Sequence, residues 1–501
     1  MKTLVTCAFL AFGLASFAQN AAPRGGQQQS GNSLLTPAFW QTKPAIDAVK
    51  AEIAKGNNPS ELNGSSFDPM VLAINNEAPT ETVIFLQQQP GNEVNKLTHD
   101  GRTYIFWAAA RGNVDLVNYF ISKGAKINME DSHGATPFTF AASGGQQKTE
   151  VYDVLIKGGA KPATELNHDG ANALLMAIAS DPELKLTTYF QSVGLSLESK
   201  DAEGRNAFDY AARSGNLELL KKLHEKNLKP TSQAMLMAAQ GSRRGGATLP
   251  VFQALESYGV NPKATSKTGD NALHFVVRRP DQADIIQYFI GKGVDINAVN
   301  ADGNSPYMNA AATNKELATL ELLQPHVKNI NAANKAGATA LALAVRNNSP
   351  EVVTYLLNKG AATNTVDAKG NSLVNYLFES YSPNAKPAFE AKLKLLQEKG
   401  ANMAKPLGDG STVYHLAVAQ NDLELLQLAN TLGADVNAKN KEGLTAMHKA
   451  AMTAKNCNLL HYLLSVGAKK DIKTPFSETA YDLAAENEIL TKRKEPIDFL
   501  K

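Results

Sequence analysis

Nine histidines and two cysteines are the residues of this chain best suited to metal binding or nucleophilic attack. His99, His133 and His168 recur at intervals of 34 and 35 residues, a spacing that would line them up on successive copies of one unit. A zinc ion would need its donors within ~2.1 Å of a single point. Cys457 has His461 one helical turn further on, the one local base that could draw off its proton. Asp435, Asn437, Lys439 and Asn440 echo a calcium loop, but lysine stands where the fifth position needs an oxygen and asparagine where the sixth needs glycine. Gly408-Asp409-Gly410 opens like a dinucleotide loop and lacks the third glycine. The H-E-x-x-H, G-x-S-x-G and G-x-x-x-x-G-K-[S/T] signatures are absent. Whether any of these side chains meet depends on the elements that carry them.

The bulk properties narrow the class. With 43% hydrophobic residues, 20% charged residues and a mean hydropathy of −0.25, the chain is neither wholly disordered nor a multi-span membrane protein. Fifty Lys+Arg against 48 Asp+Glu give a net charge of +2, which supplies no global attraction to nucleic acid or acidic lipid. Two cysteines, Cys7 and Cys457, cannot build a disulfide scaffold.

Residues 1–18 read as a secretory signal peptide. Lys2 precedes an apolar run from Leu4 to about Leu14, and Ser16 and Ala18 stand at the −3 and −1 positions of a cleavage site. The run is shorter than the ~20 residues a bilayer requires, so no membrane anchor is expected. Cleavage near Ala18 would leave a periplasmic or secreted chain with Cys457 alone. Residues 19–33, polar and rich in Gly and Gln, read as a flexible leader.

The dominant pattern is repetition. Aligning on Gly101, Gly134, Gly170, Gly204, Gly269, Gly303, Gly337, Gly370, Gly410 and Gly443 gives spacings of 33, 36, 34, 65, 34, 34, 33, 40 and 33. The 65 hides one degenerate unit at 231–262. Two residues after most of these glycines stands a Thr or Ser able to cap a helix: Thr103, Thr136, Ser305, Thr339, Thr412 and Thr445. Pro137 and Pro306 follow in the first turn, where a missing N–H costs nothing. An Ala-Ala pair thins the first helix so that neighbours stack closely. A second helix has apolar i, i+3, i+4 spacing, as in Val114, Val117, Phe120 and Ile121, and ends at a glycine such as Gly124 or Gly360 suited to the left-handed cap. The pattern divides the chain into an N-terminal capping unit at 34–65, an array at 66–475 and a C-terminal capping unit at 476–501. Residues 375–392 form an insertion, a loop or a longer helix pair, and 240–248 a basic loop.

These units resemble the ankyrin repeat, a ~33-residue helix–turn–helix with a T-P-L-H-x-A core. The resemblance implies an all-α solenoid of about 12–13 units joined by short hairpins, with no catalytic residue, no cofactor and no metal. It implies that His274, His415 and His448 bridge backbone groups between neighbouring repeats. Packed helices lie ~10 Å apart, so the tip histidines His99, His133 and His168 would hardly share one ion. Cys457 is expected to be a buried thiol, and Trp40 and Trp107 core residues.

The family holds partner proteins in a concave groove lined by hairpin tips and inner helices. Transferred residue by residue, the partner-contact positions include His99, Arg102, Arg111, His133, Arg205, Arg213, Lys267, Arg278, Arg279, Lys335, Arg346, Lys369 and Lys441, with Asp100, Glu203, Asp270, Asp302, Asp409 and Glu442 among them. That set holds eleven Lys or Arg against six acids, and arginine suits carboxylate recognition. The expected function is a non-enzymatic interaction scaffold in the periplasm or outside the cell. The partner would be a protein with an acidic or mixed surface, with no nucleic acid and no membrane anchor, and the chain itself a monomer. The alternatives are a secreted effector acting on another cell, and an accessory protein for an oxidative-stress enzyme.

Overall fold

A short side chain caps most inner helices, and this sets the repeat. Thr136, Ser305, Thr339 and Thr445 each accept from the backbone N–H three residues on. Pro137 and Pro306 occupy the first turn of the helices they open. Asn172, Asn206 and Asn271 cap in the same way where the repeat has no threonine. Thr103 departs from the expectation: its hydroxyl is buried without a hydrogen-bond partner among the described residues.

The computed structural model describes residues 31–242 and 245–501. The expected signal peptide, its cleavage site and residues 19–30 of the leader lie outside the described residues. The described residues are helical and contain four isolated β-bridges and no strand. Contacts divide the chain into two units, one ending at Tyr258 and one beginning at Gly259.

The first unit opens with a cap. Trp40 is fully buried and its indole N–H donates to Leu34 O at 2.7 Å, while Asn32 caps the turn at Ser33–Leu35. Six helix pairs follow, with inner helices from Pro69–Asn75 to Gln233–Gln240 and outer helices from Thr80–Gln87 to Leu249–Ser257. The degenerate 231–262 unit supplies the last pair, with Ala234 to Ala239 wholly inside. The inner helices stack through their alanines: Ala108, Ala109, Ala141, Ala142, Ala211 and Ala212 are all fully buried. Each outer helix buries its apolar stripe, for example Leu219, Leu220 and Leu223 in Leu217–Glu225.

The second unit has seven pairs, from Ala272–Val276 with Ala283–Gly291 to Ala480–Glu486 with Glu488–Lys492. The 375–392 insertion is a longer helix pair. It lengthens the outer helix to Lys386–Glu398, 13 residues where its neighbours have eight or nine. His274, His415 and His448 bridge repeats as expected. Each Nδ1 lies 3.0–3.1 Å from the N–H of its own cap residue. Each Nε2 lies 2.8–3.0 Å from a carbonyl of the next repeat, at Asn304, Leu444 and Ile472 respectively. An Nδ1 that accepts and an Nε2 that donates define the neutral imidazole, and burial pushes all three pKa values down.

Candidate protein-binding surface

Each hairpin closes on itself and then on its neighbour. In the first unit Asp131 N–H donates to Ala135 O across one tip, and Ser132, His168 and Ala202 N–H donate to Asp100, His133 and Asp169 O of the preceding tips. In the second unit Ala301, Lys335, Ala368 and Lys441 N–H do the same toward Thr268, Asp302, Ala336 and Asp409 O. These bonds join the tips at Gly101, Gly134, Gly170 and Gly204 in the first unit, and those at Gly269, Gly303, Gly337 and Gly370, then Gly410 and Gly443, in the second, into ladders of fixed register. Close approach explains the incomplete dinucleotide-like glycines: a Cβ on Gly408 would sit 1.9 Å from Lys369 O, so glycine is there for the neighbouring backbone.

The sequence-derived contact residues fall into two groups. Arg111, Arg213, Lys267, Arg278, Lys335 and Lys369 are exposed, as is His133. Of these, Arg111 donates to Asn75 Oδ1 at 3.2 Å and Arg213 Nε to Gly241 O at 2.9 Å. The second group is engaged within the fold. Arg102 is only 9% exposed, with Nε 2.8 Å from Asp131 Oδ2, Nη1 3.1 Å from Asp100 Oδ2, and its guanidinium over the Trp107 and Phe140 rings. Arg205 Nε lies 2.5 Å from Asp201, and the guanidinium faces the Tyr210 ring. Arg346, although exposed, approaches the equally exposed Glu379 at 3.6 Å and lies over Tyr376. Arg279 is half-buried, and desolvation holds its pKa below the usual arginine value. Asp131, Asp201 and Glu379 were not among the transferred contact positions, so the basic excess counted there is partly neutralised inside the structure.

Two of the three tip histidines converge on one carboxylate. His99 and His133 both bring Nε2 to 3.4 Å from Asp100 Oδ2, beside Arg102, and His99 stacks on Phe67. His168 joins them only through its backbone bond to His133. Among the described residues no group of three or more His, Cys, Asp or Glu is placed to hold a metal ion. Cys457 is 4% exposed and its Sγ donates to Pro496 O at 3.5 Å. Burial pushes its thiol up to about 11, so it is not a ready nucleophile, and His461 stacks on Phe499. Lys392, inside the lengthened helix, was not anticipated. It is 4% exposed, donates to Val345 O at 2.6 Å and Ser380 Oγ at 3.1 Å, and burial lowers it to about 8. No helix among the described residues is long and apolar enough to cross a membrane.

Comparison with known proteins agrees with this architecture. Family models for ankyrin repeats match residues 70–165, 273–367 and 414–464. The chain is 33% identical over 117 residues to phosphocholine transferase AnkX of Legionella pneumophila, covering 23% of this chain and 12% of that protein. It is 25% identical over 439 residues to alpha-latroinsectotoxin-Lt1a of Latrodectus tredecimguttatus, covering 80% of this chain and 30% of the toxin. A Caenorhabditis elegans homologue of transient receptor potential cation channel subfamily A member 1 is 28% identical over 194 residues, 38% of this chain and 15% of that protein. The chain thus spans less than a third of the length of each of these relatives. Ankyrin repeats are modules for protein–protein interaction, and stacked capped helix pairs, backbone-bridging histidines and family matches in both units make this chain an ankyrin repeat protein.

Proposed function

We propose that the chain is a non-enzymatic scaffold that binds a partner protein along the hairpin tips and inner-helix ends of its repeats. The observation that carries this reading is the hydrogen-bonded tip ladder, which holds polar and basic side chains outward at a fixed spacing. A preordered surface loses little entropy on binding. Arg111, Arg278, Lys335 and Lys369 are among the exposed cations at these positions, and they favour a partner with an acidic or mixed surface. The reading needs no cofactor and no nucleic acid, and it treats the chain as a monomer.

The n-, h- and c-region order of residues 1–18 supports export to the periplasm or the cell exterior. The likeness to AnkX concerns 23% of this chain and carries no transferase chemistry to it.

Affinity capture from native cell envelopes tests partner binding. The wild-type chain should retain a protein partner, and Arg111→Glu combined with Arg278→Glu and Lys335→Glu should release it while leaving the circular dichroism spectrum unchanged. Full retention by the triple variant removes these residues from the interface. Export has its own test: N-terminal sequencing of the mature chain should begin at Gln19, and a start at Met1 refutes export by this signal.

A further inference from the structure

Eight large apolar side chains stand well exposed among the described residues, and five of them share one repeat position. Leu62, Leu97 and Leu166 in the first unit and Val299 and Val366 in the second each lie four residues before the tip of their hairpin. Apolar residues scattered at random over a surface need no explanation, whereas these five recur at one register position of the repeat.

The row is most regular in the second unit. There the position is occupied in turn by Thr265, Val299, Ala333, Val366, Pro406, Lys439 and Lys473, all exposed. Four consecutive apolar residues are followed by two lysines. Val299 is 57% exposed and Val366 49%. The backbone at this position is fixed, since Thr265, Ala333 and Val366 form bridges to Asn271, Thr339 and Ser372. The tip ladder holds the steps from Thr265 to Val366, the close approach of Gly408 to Lys369 O holds the step to Pro406, and packed helices set the spacing at about 10 Å.

An occupant that meets all four apolar residues must present one apolar group every ~10 Å. Seven residues of α-helix advance about 10.5 Å and return to the same face within about 20°. Three residues of a strand advance about 10 Å but turn the third side chain to the opposite face. A polyproline helix advances about 9.3 Å per turn, but such segments dock in aromatic-lined grooves, and this row contains no aromatic side chain.

We propose that this row docks an amphipathic α-helix of the partner, with one apolar residue per heptad and carboxylates at the end lying over Lys439 and Lys473. The proposal rests on the partner-binding reading and specifies the partner's chemistry. Helix-in-groove recognition uses apolar anchors of this kind at helical spacing, and the lysines fix the helix direction through charge.

The test uses the full chain and a labelled synthetic helical peptide of four heptads, with leucine at one position of each heptad and glutamates at one end. Fluorescence anisotropy should show saturable binding. Val299→Asp with Val366→Asp should weaken it at least about tenfold. Lys439→Glu with Lys473→Glu should weaken it severalfold, and a peptide with lysines replacing the glutamates should recover the loss. Because all four positions are exposed, circular dichroism should report an unchanged fold. No saturable binding with the glutamates at either end, binding indifferent to the valine changes, or equal binding of a proline-rich peptide of the same length overturns the proposal. Capture from cell envelopes separates this failure from a wider one. A partner retained equally by wild type and the valine variant leaves the scaffold reading standing and removes the row. No partner for either chain, together with no peptide binding, removes both.

Discussion

The guanidinium of Arg102 is bonded to the carboxylate of Asp131, 29 residues further on in the next hairpin, at 2.8 Å and beneath the Phe140 ring. Asp131 is fully enclosed as a side chain, and it also accepts from the backbone N–H groups of His133 and Ala135. The pair is thus a tie between repeats at a position where the family places a partner contact.

Removing Arg102 should therefore damage stability. Arg102→Met strands a buried carboxylate, and breaking one side of such a pair costs on the order of 3 kcal/mol. Urea unfolding read by tryptophan fluorescence should move to lower denaturant, since Trp107 lies directly under the guanidinium. The exposed Arg111→Met should change the unfolding free energy by less than about 0.5 kcal/mol. If Arg102→Met unfolds like wild type, the tie is not structural.

The contrast shows what the residues alone reveal. Capping residues, alanine pairs and the bridging histidines act within one repeat or through a backbone carbonyl of the next, so a periodic alignment exposes them. The arginine pairings do not follow from the period. Arg205 takes the aspartate of its own hairpin, Asp201, whereas Arg102 takes that of the following hairpin. Both aspartates stand three residues before a tip glycine, so recurrence flags the acid without saying which arginine it binds. Lys392 was hidden for another reason: helical periodicity cannot tell a lysine folded onto the Val345 carbonyl from one in water.

Acid should loosen the second unit first. His274, His415 and His448 are held neutral, with folded pKa values below the unfolded 6.5. The unfolded chain then binds more protons below pH 6.5, so stability falls as pH drops through that value. Both tryptophans, Trp40 and Trp107, belong to the first unit. Thermal unfolding followed by circular dichroism should therefore separate from fluorescence between pH 7.5 and 5.5, with an early helical loss that fluorescence misses. His415→Gln should narrow that separation. Coincident transitions at pH 5.5 would refute the assignment.

Two glycines separate backbone conformation from packing. Gly360 and Gly337 both have positive φ, +89° and +82°. A Cβ on Gly360 meets open space, whereas on Gly337 it would come within 2.4 Å of Ala368 N in the next tip. Gly360→Ala should cost about 1 kcal/mol from conformation alone. Gly337→Ala must also push neighbouring hairpins away from each other and should cost at least twice as much. Equal losses in parallel urea titrations would mean that the ladder yields freely.

Lys392 should give the stability of the second unit an alkaline dependence. Its folded pKa, about 8, lies below the ordinary lysine value because its ammonium is desolvated. Between pH 8 and about 10.4 the unfolded chain therefore holds a proton that the folded chain has released, and folding gains as pH rises across that window. The full gain is on the order of 3 kcal/mol and is absent below pH 8. Lys392→Met keeps the buried stem, removes the charge and leaves Val345 O without its 2.6 Å donor, a loss of roughly 1–3 kcal/mol. At pH 7 the two effects oppose each other and the variant should lie close to wild type. At pH 10 the wild-type amine is neutral and still bonded, so the variant should be the less stable of the two. The measured quantity is the wild-type minus variant difference in urea midpoint from pH 7 to 10, in which the tyrosines and other shared titrations cancel. A difference that stays flat over this range would mean that the Lys392 ammonium is solvated and that the lengthened helix does not bury it.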